Sequence, residues 1–241
     1  KTGSGSLGVD KIWYQFPVGD SLQVWVGPRI ENYYMLASAP SIYRPVTKQF
    51  ALGGNGVVYG SSTSPGLGAA WTQSVDDPSA PRWAFSAAYT AKDGASSAED
   101  NGLFGEDGRS ALLTKLEYGA PRWQVSAAAA FKENGWEDSY FTTSAGKERA
   151  SDSSETAVGL RAYWKPETTG GIPSVQVGYD FSNIDDAGTG NADETSGWMV
   201  GLGWSDLFID GNRAGFALGS RVHASSIVGG GDDPADDNTV W

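Results

Sequence analysis

Chemistry in this chain rests on few side-chain types. Its 241 residues include no Cys and a single His, His223. That rules out disulfides, thiolate metal sites and cysteine nucleophiles, and it starves a Ser-His-Asp triad or a His-based metal cluster of material. No G-x-S-x-G elbow, Walker loop, H-E-x-x-H or strand-following G-x-G-x-x-G occurs. Glycoside hydrolysis needs only two facing carboxylates, and 29 Asp and Glu are present. They concentrate in polar, Gly-rich stretches, where they stay solvated and ionised, a poor setting for a general acid. Asp185 to Glu194 offers hard oxygen ligands for calcium without the spacing of an EF-hand. The remaining chemistry is fixed charge, which steers ions rather than breaking bonds.

The elements that would place those charges are strands. Helical periodicity is nearly absent, and period-two alternation recurs through most of the chain. Trp83, Phe85, Ala87 and Tyr89 fall opposite Arg82, Ala84, Ser86 and Ala88. Trp123, Val125, Ala127, Ala129 and Phe131 oppose Gln124, Ser126, Ala128, Ala130 and Lys132. Similar patterns run over 11–16, 22–27, 112–118, 158–165, 175–182, 198–205 and 215–223, the last with Val222 on the apolar face and Arg221 and His223 on the other. The 33 Gly are roughly twice the usual ~7%. Short connections near 17–20, 75–81, 119–121, 166–173 and 206–212 alternate with long ones near 30–64, 93–109, 133–155, 183–195 and 227–237. Ala80-Pro-Arg-Trp83 recurs as Ala120-Pro-Arg-Trp123, one hairpin later. The pattern predicts an all-β, antiparallel up-and-down barrel.

In a soluble barrel the apolar face is the core, whereas in an outer-membrane barrel it faces lipid. The second face is rich in Gly, Ala and Ser with long charged residues, the composition of a wet lumen. Aromatic residues gather at both strand ends, as in interfacial girdles: Trp83, Tyr118, Trp123, Trp164 and Trp204 at the short turns, and Tyr89, Phe131, Phe181 and Trp198 toward the long loops. Strand lengths approach the ~9–11 residues that cross a bilayer with tilt. Parity therefore puts Trp83, Phe85, Val125, Phe131, Leu160, Val177, Val200 and Leu218 on the lipid side. Mean hydropathy, −0.34, has the value of a water-soluble protein, because a barrel hides its membrane signal in alternation.

Charge is segregated in the same sense. The loops 93–109, 133–155, 183–195 and 227–237 each carry a net −4, while the whole chain carries −12, so the remainder is cationic. An acidic balance of this kind argues against a nucleic-acid partner. On the inward face Lys115, Arg161 and Arg221 sit mid-strand, Arg82, Arg122 and Lys165 lie next to short turns where they can equally snorkel to solvent, and Lys132 also points inward, against Glu117 and Asp180. These define the candidate pore lining: Lys115, Glu117, Arg161, Arg221, Arg82, Arg122 and Lys132. A confined wall is screened less than an open rim, so Lys115 and Arg161 predict a weak preference for anions. Segment 30–64 is weakly charged and long enough to have a task of its own. Its composition predicts a loop folded inside the barrel as a constriction, with Arg44 and Lys48 as its charges.

The hairpin Asp10-Lys-Ile-Trp-Tyr-Gln-Phe-Pro-Val-Gly-Asp20, followed by Leu22-Gln-Val-Trp-Val-Gly-Pro-Arg-Ile-Glu-Asn32 and by Pro65-Gly-Leu-Gly-Ala-Ala-Trp71, resembles the cyanobacterial outer-membrane porins. These are described as iron-uptake porins and grouped with the carbohydrate-selective porin B family. The resemblance implies a trimeric barrel of sixteen strands, preceded by a surface-layer-homology domain that binds peptidoglycan. Residues 1–241 are then part of one porin barrel domain, transmembrane but partial, with about 10–11 of the strands. The expected function is a passive outer-membrane channel for small hydrophilic solutes and inorganic ions, in a lipid bilayer, without catalysis or cofactor. A secreted β-rich carbohydrate-binding domain or glycoside hydrolase is the alternative.

Overall fold

The computed structural model describes residues 8–43, 50–60, 63–137, 142–233, 235 and 238–241. Ten strands carry the alternation: β1 (Ile12–Val18), β2 (Leu22–Glu31), β3 (Thr63–Thr72), β4 (Arg82–Ala91), β5 (Ser110–Ala120), β6 (Trp123–Glu133), β7 (Ser154–Trp164), β8 (Ser174–Asp185), β9 (Ala192–Ser205) and β10 (Arg213–Ile227). They form one antiparallel sheet in strict sequence order. The sheet is not closed into a barrel: β1 and β10 are its edges. Val240 pairs with Gly219 on the β10 edge through two backbone hydrogen bonds of 3.0 and 2.7 Å. Among the described residues the helices are short: a 3₁₀ turn at Asn32–Tyr34, α1 (Gly56–Tyr59) and α2 (Ser144–Lys147). None of the described helices is long and apolar enough to cross a membrane.

Burial alternates along the strands, but the packed face is the one with the polar and small residues. The core is built by residues 32–43 and 50–60, from the segment between β2 and β3, which lie on that face. Met35, Leu36, Leu52, Val57, Val58 and Tyr59 from the segment pack with Ala70, Ala88, Leu113, Ala128, Ala130 and Ala157 from the strands. Each such large side chain contributes about 1.5–3 kcal/mol on burial. Five adjacent strands span about 19 Å at the usual spacing, yet α1 contacts all of β6 to β10. A helix is only ~10 Å wide, so the sheet must curve around it.

This packing corrects one inference from composition. The Ala and Gly of the inward face do not mark a wet lumen there; they make room for the inner segment. Gly68 lies against Met35, Gly159 against Asn55 and Val58, and Gly178 against Gly53.

Two boundaries also differ from expectation. The connection expected over 183–195 is only a six-residue turn, 186–191, because β8 and β9 continue as a polar ladder. Ser182 and Thr195 hydroxyls hydrogen bond at 2.6 Å, and Asn183 pairs with Glu194. A polar ladder has no hydrophobic period to announce it. In β10 a bulge between Ser220 and His223 adds one residue and reverses the parity beyond it. Val222, expected outward, is buried in the inner cluster instead. Of the eight residues expected outward, Val200 is half-buried and the other seven are exposed.

Gly178 tests the seating of the segment. A Cβ there would run into the Gly53 carbonyl, whereas one on Gly203 meets nothing within 4 Å. Gly178→Ala is expected to weaken docking of residues 50–60 by about 1–3 kcal/mol, read as faster amide exchange in that stretch, with Gly203→Ala as the silent control. Equal protection in both variants would show that the segment does not depend on this contact.

Candidate functional site

The register gathers the inward charges into rows. Lys115 and Glu117 are two residues apart on β5, and Glu117 pairs with Ser126, which pairs with Arg161. All three charged side chains are buried. Lys115 Nζ lies 2.6 Å from Glu117 Oε1, and Arg161 Nη2 lies 3.8 Å from the same oxygen. The inner segment completes the cluster. Ser38 donates its hydroxyl to Glu117 and receives Lys115 Nζ at 3.1 Å, while Arg161 donates to the Ala39 carbonyl at 2.5 Å and to Gln124.

A second cluster lies toward the long loops. Lys132 and Glu155 are direct cross-strand partners, 3.4 Å apart, and Arg149 reaches Glu155 Oε2 at 3.1 Å. Lys132 Nζ also donates to the Val57 carbonyl at 2.7 Å. Between the clusters, Asp180 accepts the Val57 and Val58 N–H groups at 2.6 and 3.3 Å. Asn55 donates to the Leu160 and Tyr179 carbonyls, and Gln176 accepts the Ile42 N–H at 2.7 Å.

Five buried ionisable groups, Lys115, Glu117, Arg161, Lys132 and Asp180, therefore bond the segment to the sheet, and Glu155 with Arg149 completes the pairing of Lys132. Lys115, Arg161 and Lys132 do face inward. They face protein rather than an open passage, and each has a carboxylate partner. Arg149, Glu155, Asn55 and Gln176 belong to the same arrangement and were not singled out from sequence. Glu155 was legible in principle as the inward partner of Lys132; Arg149 lies in a loop whose path has no sequence signal.

The other candidates are dispersed. Arg82 donates to the Pro78 carbonyl and lines a cavity of about 200 Å³ with Ser38, Glu117 and Gln124. Arg122 is half-exposed on the β5–β6 turn and pairs with Glu167 at 3.2 Å. Arg221 donates to the Thr142 carbonyl, tying the loop before α2 to β10. Arg44 and Lys48 lie outside the described residues.

His223 is not set up as a triad base. Ser220 Oγ is 3.0 Å from His223 Nδ1, but the same nitrogen lies 3.0 Å from the Arg221 carbonyl. A triad base needs separate nitrogens for nucleophile and orienting group. Among the described residues no group of three or more His, Asp or Glu is placed to hold a metal ion. Asp185 to Glu194 forms the β8–β9 turn and its flanks. Its acids do not converge.

The long-loop end has its own ties. Arg109 bonds Asp93 through two nitrogens at 2.8 and 2.9 Å and holds that carboxyl down to about 2. Burial raises the proton affinity of Asp233, but hydrogen bonds from Thr143 and from the Ala235 and Ala224 N–H groups outweigh it and hold the carboxyl below the usual range. Asp233 thereby joins the loop before α2, β10 and the loop after β10.

Removing one member of the first cluster gives a direct test. Glu117→Gln leaves Lys115 and Arg161 buried without their carboxylate, a change that typically costs about 3–5 kcal/mol. We expect faster proteolysis within 32–60 and a lower unfolding midpoint, with part of the loss recovered on adding Lys115→Gln. A neutral Glu117→Gln would mean the pair does not hold the segment. No protein-family model and no curated protein sequence matches the chain.

Proposed function

We propose that this chain forms part of an outer-membrane β-barrel channel that passively conducts small hydrophilic solutes and inorganic ions. One observation carries the reading: the sheet is inside-out. Its inner face buries Lys115, Glu117, Lys132, Glu155, Arg161 and Asp180, while its outer face exposes Leu116, Val125, Phe131, Leu160, Val177, Tyr179 and Phe216. Leu160 is 52% exposed and Val125 50%. In water such a surface is an extended apolar patch that favours association; against hydrocarbon it is an ordinary lipid face. A row of aromatic residues marks one border of it. Trp83 and Tyr118 rings are 4.7 Å apart, Tyr118 and Trp123 rings 5.6 Å, and Trp123 pairs with Trp164. From Trp123 to Phe131 the strand rises about 27 Å, or about 21 Å normal to a membrane at ~40° tilt, near the ~25 Å band of known barrels.

Closure would come from further strands beyond β1 and β10, and the resemblance adds a trimer and a peptidoglycan-binding domain to the same proposal. The inner segment then lies within the lumen and narrows it. The intact protein should require detergent, migrate differently on gels when heated, and form ion channels in planar bilayers. Deleting residues 38–62 should raise single-channel conductance, since Lys115, Glu117 and Arg161 would then meet water instead of protein. A monodisperse, detergent-free species that forms no channels would refute the proposal and favour a secreted carbohydrate-binding domain.

A further inference from the structure

At the short-turn end the described residues of the inner segment leave space beneath the sheet. Between residues 41–43 and the ends of β7 to β10 lies a cavity of about 630 Å³, room for roughly twenty waters at ~30 Å³ each. Tyr43, Lys165, Ser174, Gly203, Arg213 and Gly215 line it. The register puts the strand residues on the inner face: Ser174 pairs with Gly203, Gly203 with Gly215, and Ser205 with Arg213. Toward the long loops the same face is packed, since Gly201 touches Tyr43 and Met199 and Gly178 touches Gly53. At Gly203 an added Cβ meets nothing within 4 Å. Two consecutive inward positions of β9 thus change from closed to open.

The charges in this cavity differ in kind from those beneath the segment. Lys115 and Arg161 share Glu117, and Lys132 and Arg149 share Glu155. Lys165 Nζ instead lies 5.2 Å over the Tyr163 ring, and Arg213 is exposed. Among the described residues neither makes an ion pair with a carboxylate. Asp206, on the β9–β10 turn, is close enough to Arg213 to feel its charge, but its Oδ1 accepts the Gly211 N–H at 2.6 Å. Glu167 is engaged by Arg122.

We infer that the solute path passes the inner segment on its β8–β10 side, through this cavity, and that Lys165 and Arg213 make it selective for small anions such as inorganic anions and short organic acids. The inference rests on the channel reading. Two cations on a confined wall are screened less than the acidic loops, whose charges face open solvent. The missing side chains of Gly203 and Gly215 leave the width for a hydrated ion to pass them.

The test uses intact protein in planar bilayers under a tenfold potassium chloride gradient. Wild-type channels should reverse on the chloride side of zero, and Lys165→Glu with Arg213→Glu should move the reversal potential to the potassium side. The 241 residues hold no Cys, so Gly203→Cys gives them a single thiol. Its reaction with a charged, water-soluble methanethiosulfonate should cut conductance at least twofold, while the same reaction on an outward Ala162→Cys channel should leave conductance unchanged. A reversal potential that keeps its sign in the double variant, or a labelled Gly203→Cys channel of full conductance, would overturn the inference while the channel reading stands. Absence of channels in wild-type protein would instead remove the channel reading and this inference with it.

Discussion

The structure depends on one requirement: the charged groups buried on the inner face of the sheet must find partners within the protein. An ionised side chain taken into a low-dielectric interior costs several kcal/mol unless it is paired and hydrogen-bonded. Five such groups bond the segment between β2 and β3, and the pairs Lys115–Glu117 and Lys132–Glu155 neutralise only part of their charge. The segment adds backbone partners: the Ala39 and Val57 carbonyls for Arg161 and Lys132, and the Val57 and Val58 N–H groups for Asp180. Its path follows from those contacts. So does the curvature that lets α1 reach five strands, and so do the small residues that leave it room.

In the proposed channel, the same requirement divides the lumen electrically. Where the segment is seated, cations and carboxylates are matched and shielded. Past its seat, at Lys165 and Arg213, the wall is open and cationic. At the opposite end the loops carry excess acid, partly tied up in contacts such as Asp93 with Arg109 and Asp233 with Thr143. An ion crossing such a lumen would meet a screened acidic rim and then a less screened basic constriction. From sequence, the anion preference falls on the wall residues Lys115 and Arg161 and the constriction on the segment carrying Arg44 and Lys48. Lys115 and Arg161 share Glu117, which is why the proposed selectivity is placed at the cavity near the short turns instead.

Strand number, order and facing were legible because a two-residue period is a direct consequence of the pleat. Trp83, Phe85, Val125 and Leu160 could be placed outward from spacing alone. Features that break or lack the period were not legible. The bulge at Ser220–His223 sends Val222 inward, and the polar continuation of β8 and β9 resembles a loop in composition. The inner face held the most instructive ambiguity. Alanine and glycine suit both a wet wall and a wall packed against another segment, and only the segment's path decides between them. That path could be guessed from the low charge of residues 30–64, but its partners could not, since Asn55, Gln176 and Arg149 have no spacing that ties them to the strands they meet.

The central claim is that the outer face of this sheet contacts lipid. Spin labels placed one at a time at positions 124 to 129 on β6, in protein reconstituted into vesicles, measure it directly through collisions with oxygen, which dissolves in hydrocarbon, and with a water-soluble nickel chelate. Labels at Val125, Ala127 and Ala129 should collide with oxygen and not with nickel, alternating with low oxygen access at Gln124, Ser126 and Ala128. Nickel access at all three outward positions, or labels immobilised there as in a packed protein core, would contradict the account.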